Sequence, residues 1–130
     1  MAYAATTKVP VARTKAEIET IVNRYGADNF GIARKGDNHI VFFTANGKNI
    51  VFCTKQRENP QAERANWRCL AKTIHMKMES VEAGIESFEE AFLAQIVAPD
   101  GLTYGEHVIP RIGTDYTERR VPLLPNFTGE

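Results

Sequence analysis

Three histidines, two cysteines and a short run of glutamates are the residues of this chain that could carry chemistry. A structural or catalytic metal needs His and Cys ligands at short spacing, as in a Cys-x-x-Cys or His-x-x-x-His pair. His39, His75 and His107 stand far apart, and Cys53 and Cys69 form no such pair. A cysteine nucleophile needs a base beside it. Cys53 with His39 across a hairpin is the one conceivable couple, but the expected strand pairing sets His39 opposite Thr54 and sends the two side chains to opposite faces. Cys53 then reads as a small buried residue. Glu86, Glu89 and Glu90 could be paired carboxylates or a cation site, yet acids in a first helical turn also simply complement the positive end of the helix dipole. The phosphate-cradling Gly-x-x-x-x-Gly-Lys-Ser/Thr pattern is absent, and the lone Gly47-Lys48 pair sits in a turn. These failures of spacing and facing point to binding without catalysis, and to no cofactor and no metal.

The strongest binding signal is basic. Arg64, Arg68, Lys72 and His75 recur at steps of four and three along an expected helix, with Lys55 and Arg57 just ahead of it. Such a row can meet phosphates, with an affinity that falls steeply as salt rises. Trp67, beside the row, could stack on a base, although it also belongs to an apolar stripe. No helix-turn-helix, zinc-finger or RNA-sheet motif accompanies the row. The second signal is acidic. Formal net charge is zero, but residues 1–77 hold 13 Lys and Arg against 6 Asp and Glu, a balance of +7. Residues 78–110 hold 7 acids and no Lys or Arg, a balance of −7, and residues 111–130 cancel at 3 against 3. Either the halves neutralise each other within a fold or an oligomer, or they form two surfaces, one for phosphates and one for a basic protein. Glu86, Glu89 and Glu90 would lie on the second.

Several elements must position these groups. Thr14 and Glu17 have the spacing of a capping box, after which Ile18, Ile21, Val22 and Tyr25 mark one face of a helix that Gly26 ends. Residues 30–34, 39–45 and 49–55 read as strands, with turn chemistry at residues 35–38. Asn46-Gly47 is the preferred centre of a type I′ hairpin turn. That turn sets Phe43 opposite Ile50, Phe42 opposite Val51, Val41 opposite Phe52 and Ile40 opposite Cys53. Alternation then makes both sheet faces apolar, so either helices cover both or a second copy covers one. Asn59-Pro60 opens a long helix to about residue 83, with a stripe of Trp67, Leu70, Ile74, Met78 and Val81 continuing to Ile85. Ser87 and Glu90 form a second capping box, before a helix carrying Phe88, Ala91, Phe92 and Ile96. Thr103 and Glu106 could cap a third helix, which Pro110 should kink or shorten.

The expected architecture is therefore α+β: an N-terminal helix, a three-stranded antiparallel meander, then a long helix and two shorter ones packing on the sheet. Residues 1–13 would be a flexible arm, 14–120 a single domain and 121–130 an extended apolar tail. A length of 130 residues with 43% hydrophobic and 25% charged composition suits one such domain. The N-terminus has no signal pattern and no apolar run approaches the ~18 residues of a membrane span. With cysteine so sparse, a reducing cytoplasm is the expectation, with no membrane partner.

In the second half, Trp67, Arg68 and Leu70 are followed by Lys77, Glu79, Val81, Glu82, Gly84 and Ile85, and then by residues 88–94. Ile96, Val97, Pro99, Asp100, Gly101, Thr103, Gly105 and Glu106 come next, with residues 122–125 at the end. With Lys8, Val9 and Pro10 and with Arg24, Tyr25 and Gly26 in front, the chain resembles a widespread family of small, uncharacterised bacteriophage proteins. The resemblance implies a cytoplasmic role in an infected bacterial host: helping phage replication or recombination, or disarming a host factor. The segment at residues 56–61 departs from it, being short where relatives carry longer charged insertions. Two readings follow: a nucleic-acid-binding accessory using Lys55, Arg57, Arg64, Arg68 and Lys72, and a protein-binding module using Glu86, Glu89 and Glu90. A pocket for a small molecule is a third. Homo-oligomerisation stands open.

Overall fold

Asn46 and Gly47 both hold positive φ, 53° and 73°, as a type I′ turn requires. The turn sets the register of the two strands it joins, β2 (Asn38–Ala45) and β3 (Lys48–Lys55), and all four expected pairs form, from Phe43 with Ile50 to Ile40 with Cys53. β1 (Asp28–Lys35) runs antiparallel to β2, giving the order β1-β2-β3. Around this sheet the chain adds α1 (Val11–Arg24), α2 (Pro60–Glu82), α3 (Phe88–Phe92), a 3₁₀ turn (Leu93–Gln95) and α4 (Tyr104–Glu118). The computed structural model describes residues 5–126. The result is the expected α+β architecture.

One face of the sheet makes the core. Val41, Phe43, Ile50 and Phe52 are buried against Ile18 and Val22 of α1, Trp67, Ala71, Ile74 and Met78 of α2, and Phe92 of α3. Phe92 meets the rings of Phe43 and Phe52 edge-on, each at a centroid distance of 6.3 Å. The other face is different. Ile40 and Val51 are half-buried there, while Phe42 and Cys53 are exposed. The helices form one layer and do not close over this second side. Cys53 is thus not the buried residue expected, because its strand position turns it outward.

Three local expectations are also corrected. α1 begins at Val11, after Pro10, so Thr14 lies inside the helix, fully buried, and makes no capping box with Glu17. The arm correspondingly ends before Val11, and the Gln61 side-chain amide donates to the carbonyls of Ala5 and Thr7, tying this stretch to α2. Residues 1–4 of the expected arm and 127–130 of the expected tail lie outside the described residues. The α2 stripe stops short of Ile85, which is 79% exposed, because Gly84 turns the chain at φ 75°. The helix opened by Ser87 does not reach Ile96. It ends in the 3₁₀ turn, and Ile96 instead bridges to Ile50 of β3 while the Val97 amide donates to the Asn49 carbonyl.

α4 is neither short nor broken. Its capping box of Thr103 and Glu106 is formed, and the helix continues through Pro110 to Glu118. Proline removes one N–H from the ladder, and on so exposed a helix the freed carbonyl reaches water. α4 packs chiefly on the 3₁₀ turn, where Gly105 is buried so closely that a β-carbon would stand 2.6 Å from the Ala94 carbonyl oxygen. Gly105 is the one buried residue of this helix. The rest of α4, and the tail to residue 126, are largely exposed.

Candidate functional site

The basic row of α2 largely faces α1. Arg68 is enclosed, its side chain 12% exposed, and its guanidinium donates to both carboxylate oxygens of Glu17. This fork-to-fork geometry gives the strongest kind of exposed-edge ion pair. The Arg68 guanidinium bonding to it, joined by the charges of Lys72 and Arg13, holds the Glu17 carboxyl below the usual carboxylate range against the effect of burial. His75 contacts Arg24 of α1 and Glu79 of its own helix. Arg64 donates to Gln61 at 2.5 Å, and its Nε is buried with no hydrogen-bond partner among the described residues. The row is thus a seam between two helices along much of its length.

Lys55 and Arg57 are placed apart from that seam. They line a polar cleft of about 690 Å³ with Arg34, Asp37, Glu58 and Asn59, where the sheet meets the start of α2. Arg34 there donates to the side chain of Gln56 and to the Gly36 carbonyl. Asn59 caps α2 by accepting from the amides of Gln61 and Ala62. The structure therefore separates the five basic residues into an outward pair, Lys55 and Arg57, and a group of three on α2.

A buried polar cluster lies beneath this cleft. His39, at the start of β2 on the core face, contacts a carboxylate oxygen of Glu63 at 2.6 Å, and the Arg57 amide donates to the other at 2.9 Å. Burial works to raise the Glu63 carboxyl, but the Arg57 amide and the His39 ring outweigh it and hold it low. Trp67 is fully buried with His39 on one side, at 5.1 Å between rings, and the Lys15 ammonium 5.0 Å from the ring centre. Its indole N–H lies near Glu63 yet makes no hydrogen bond of normal geometry. Trp67 is accordingly a core residue, unable to stack on a base. His39 and Cys53 do face opposite ways, as the pairing requires.

The acidic residues have structural partners. Glu86 accepts from the Ser80 hydroxyl at 2.7 Å. Glu89 pairs with Lys48 of the hairpin at 2.9 Å, and the Lys48 ammonium holds its carboxyl low. Glu90 closes the α3 capping box by accepting from the Ser87 amide, which lowers it likewise. Among the described residues, no group of three or more His, Cys, Asp or Glu is arranged to hold a metal ion, and no helix is long and apolar enough to cross a membrane.

What the charge pattern does not disclose is an apolar surface. Val108, Ile109, Ile112 and Tyr116 of α4 are 42, 61, 49 and 68% exposed, and at ~100° per residue they share one arc with Tyr104. A groove of about 230 Å³ runs beneath this arc, between α4 and the Leu93 to Gln95 turn, with Lys77 and Glu90 at its rim. A second cleft joins Ile109 and Pro110 to Ile40, Val51 and Cys53 of the outer sheet face. In the tail, Leu123 is 96% and Leu124 65% exposed. Steps of four from Tyr104 to Tyr116 mark the arc in the sequence, but they predict a core-facing helix, and only the packing reveals that it is uncovered.

Comparison of the chain with protein-family models, with curated proteins and with solved structures gives no match. The functional reading rests on this geometry.

Proposed function

We propose that this chain is a non-catalytic binding protein that engages another polypeptide through the apolar arc of α4 and the adjoining outer face of the sheet. The observation that carries the reading is the exposure of Val108, Ile109, Ile112 and Tyr116 on one side of a helix that buries only Gly105. Contiguous exposed apolar surface of this kind marks partner-binding sites on small proteins. Of the acidic residues, Glu90 lines the groove beneath the arc and Glu89 shares a cleft with Tyr104, so these two would frame the contact and the apolar arc would drive it. In the infected bacterial host that the phage resemblance implies, the partner is either a host factor or a copy of the chain. A tagged chain, co-expressed with an untagged copy in bacteria and purified after nuclease treatment, should retain a stoichiometric polypeptide that Ile109→Asp loses. Retention of no polypeptide, or equal retention by the variant, would overturn the reading.

A second reading, binding of nucleic acid, has one observation of its own: Arg34, Lys55 and Arg57 converge on the polar cleft beside the start of α2. It predicts oligonucleotide binding that weakens with salt and is lost in Lys55→Glu with Arg57→Glu. No binding at ~50 mM salt would exclude it.

A further inference from the structure

We infer that the occupant of the α4 arc is a second copy of this chain, docked through its own α4 about a two-fold axis passing by Ile112. The inference rests on the polypeptide-binding reading above and names the partner. Val108 and Tyr116 stand at equal spacing on either side of Ile112 in one row of the helix. When two such rows cross in opposite directions at Ile112, each Val108 faces the Tyr116 of the other copy, small against large, and the two Ile112 side chains meet. A patch that is its own complement under a two-fold rotation is what an isologous dimer needs, and rows at steps of four are the ridges that helices interdigitate.

The charges flanking the row agree. Arg111 has no hydrogen-bond or ion-pair partner among the described residues, and the Asp115 carboxylate has only the exposed Arg119 at 3.9 Å. Across the axis, Arg111 of each copy lies on the same side of the row as Asp115 of the other, offset by about 3 Å along the helix, which the long arginine side chain spans to make two ion pairs of the right sign. Formal net charge is zero, so the copies carry no overall repulsion. Four large side chains, each about half exposed, with the leucines of the tail, offer on the order of several hundred Å² per copy. That is the size of the largest patch on an ordinary monomer, which is often a functional one, and a stable interface of ~800 Å² per partner would draw also on the outer sheet face or more of the tail. Val108, Ile109 and Ile112 line a groove with Lys77 and Leu93 yet keep about half of their surface exposed, and that surface is what a second copy would cover.

Light scattering of the purified full chain should give twice its mass of 14.5 kDa. Ile112→Asp should be monomeric with an unchanged circular dichroism spectrum. Arg111→Asp should raise the dissociation constant ~10-fold or more, and adding Asp115→Arg should restore it. In a background of Cys53→Ser and Cys69→Ser, Ile112→Cys should form a disulfide-linked dimer on mild oxidation, whereas Thr114→Cys, on the opposite side of α4, should not. A monomer at about 100 μM, or a dimer that survives Ile112→Asp and fails to cross-link at residue 112, would overturn the inference. A monomer that still retains another polypeptide lost by Ile109→Asp would overturn the second copy alone, while loss of both would overturn the broader reading too.

Discussion

Arg68 of α2 holds both carboxylate oxygens of Glu17 of α1, at 2.7 and 2.6 Å. The pair clamps the two helices along the seam above Trp67, and it takes the central cation of the α2 row into the architecture. Lys72 stays half-exposed on a shallow cleft with Thr73 and Met76, and the exposed pair Lys55 and Arg57 belongs to a different place in the fold.

Glu17→Ala should therefore destabilise the chain, measured by urea unfolding, by about 1–2 kcal/mol. Charge-assisted hydrogen bonds are worth ~1.5–3 kcal/mol, and the partial exposure of Glu17 reduces that through solvent screening. The pH dependence has a definite sign. Because the Glu17 carboxyl is lower in the folded state than its ordinary 4.5, its contribution is present above that value and fades as pH falls through the lowered one. The difference between wild type and Glu17→Gln should shrink accordingly in acid.

Trp67 is the only tryptophan and is fully buried. Its fluorescence should be blue-shifted, insensitive to iodide, and unchanged when oligonucleotides are added, even should they bind elsewhere. Trp67→Ala should cost ~3–5 kcal/mol, the range for emptying a large core site. Strong iodide quenching of the native protein would contradict the packing of α2 on the sheet.

Glu63→Gln removes the charge that accepts from the Arg57 amide and contacts His39. With the site mostly enclosed, a loss of about 1–3 kcal/mol is expected. The sign of its pH dependence matches that of Glu17: the Glu63 carboxyl is also held low, so its support is lost as pH falls. A Glu63→Gln chain as stable as wild type at neutral pH would show that the cluster contributes nothing net.

Gly31 and Gly105 should each resist substitution, for different reasons. The Phe42 ring lies across Gly31 on the neighbouring strand, with no room for a β-carbon between them. Gly31→Ala should therefore displace a side chain and expose more of the outer face. At Gly105 the obstacle is backbone, the Ala94 carbonyl, so Gly105→Ala should shift α4 bodily, cost ~1–3 kcal/mol and weaken any association through its arc. Amide chemical shifts from residue 104 onward would report the shift.

The meander was legible because a two-residue turn and strict alternation leave no freedom: Asn46-Gly47 places every pair down to Ile40 and Cys53. The capping boxes at Ser87 and Thr103 were legible for the same local reason. Thr14 and Glu17 carry an identical pattern and misled, because their true partner, Arg68, lies on another helix and short-range spacing contains no trace of it. The basic row suffered likewise: periodicity places cations on one side of a helix but does not say that α1 lies there. The apolar arc of α4 was visible as a period and invisible as a surface, since burial depends on what the rest of the chain brings against it. Pro110 argued for a shorter helix, and the freedom of an exposed helix to hydrate its carbonyls overrode that.

α4 is held to the body at its first turn, by the Gly105 contact, the capping box, the Tyr104 amide donating to the Ile96 carbonyl and the contact of His107 with Asp100, and this divides the molecule energetically. Elements with few buried contacts open independently of the core, so the amides of α4 should exchange with solvent through local events that leave the meander and α2 intact. The chain would then carry a shallow reservoir of order beside a deep one. A partner seated on α4 would slow exchange there far more than in the core, and protection measured along the chain would locate the contact without any substitution.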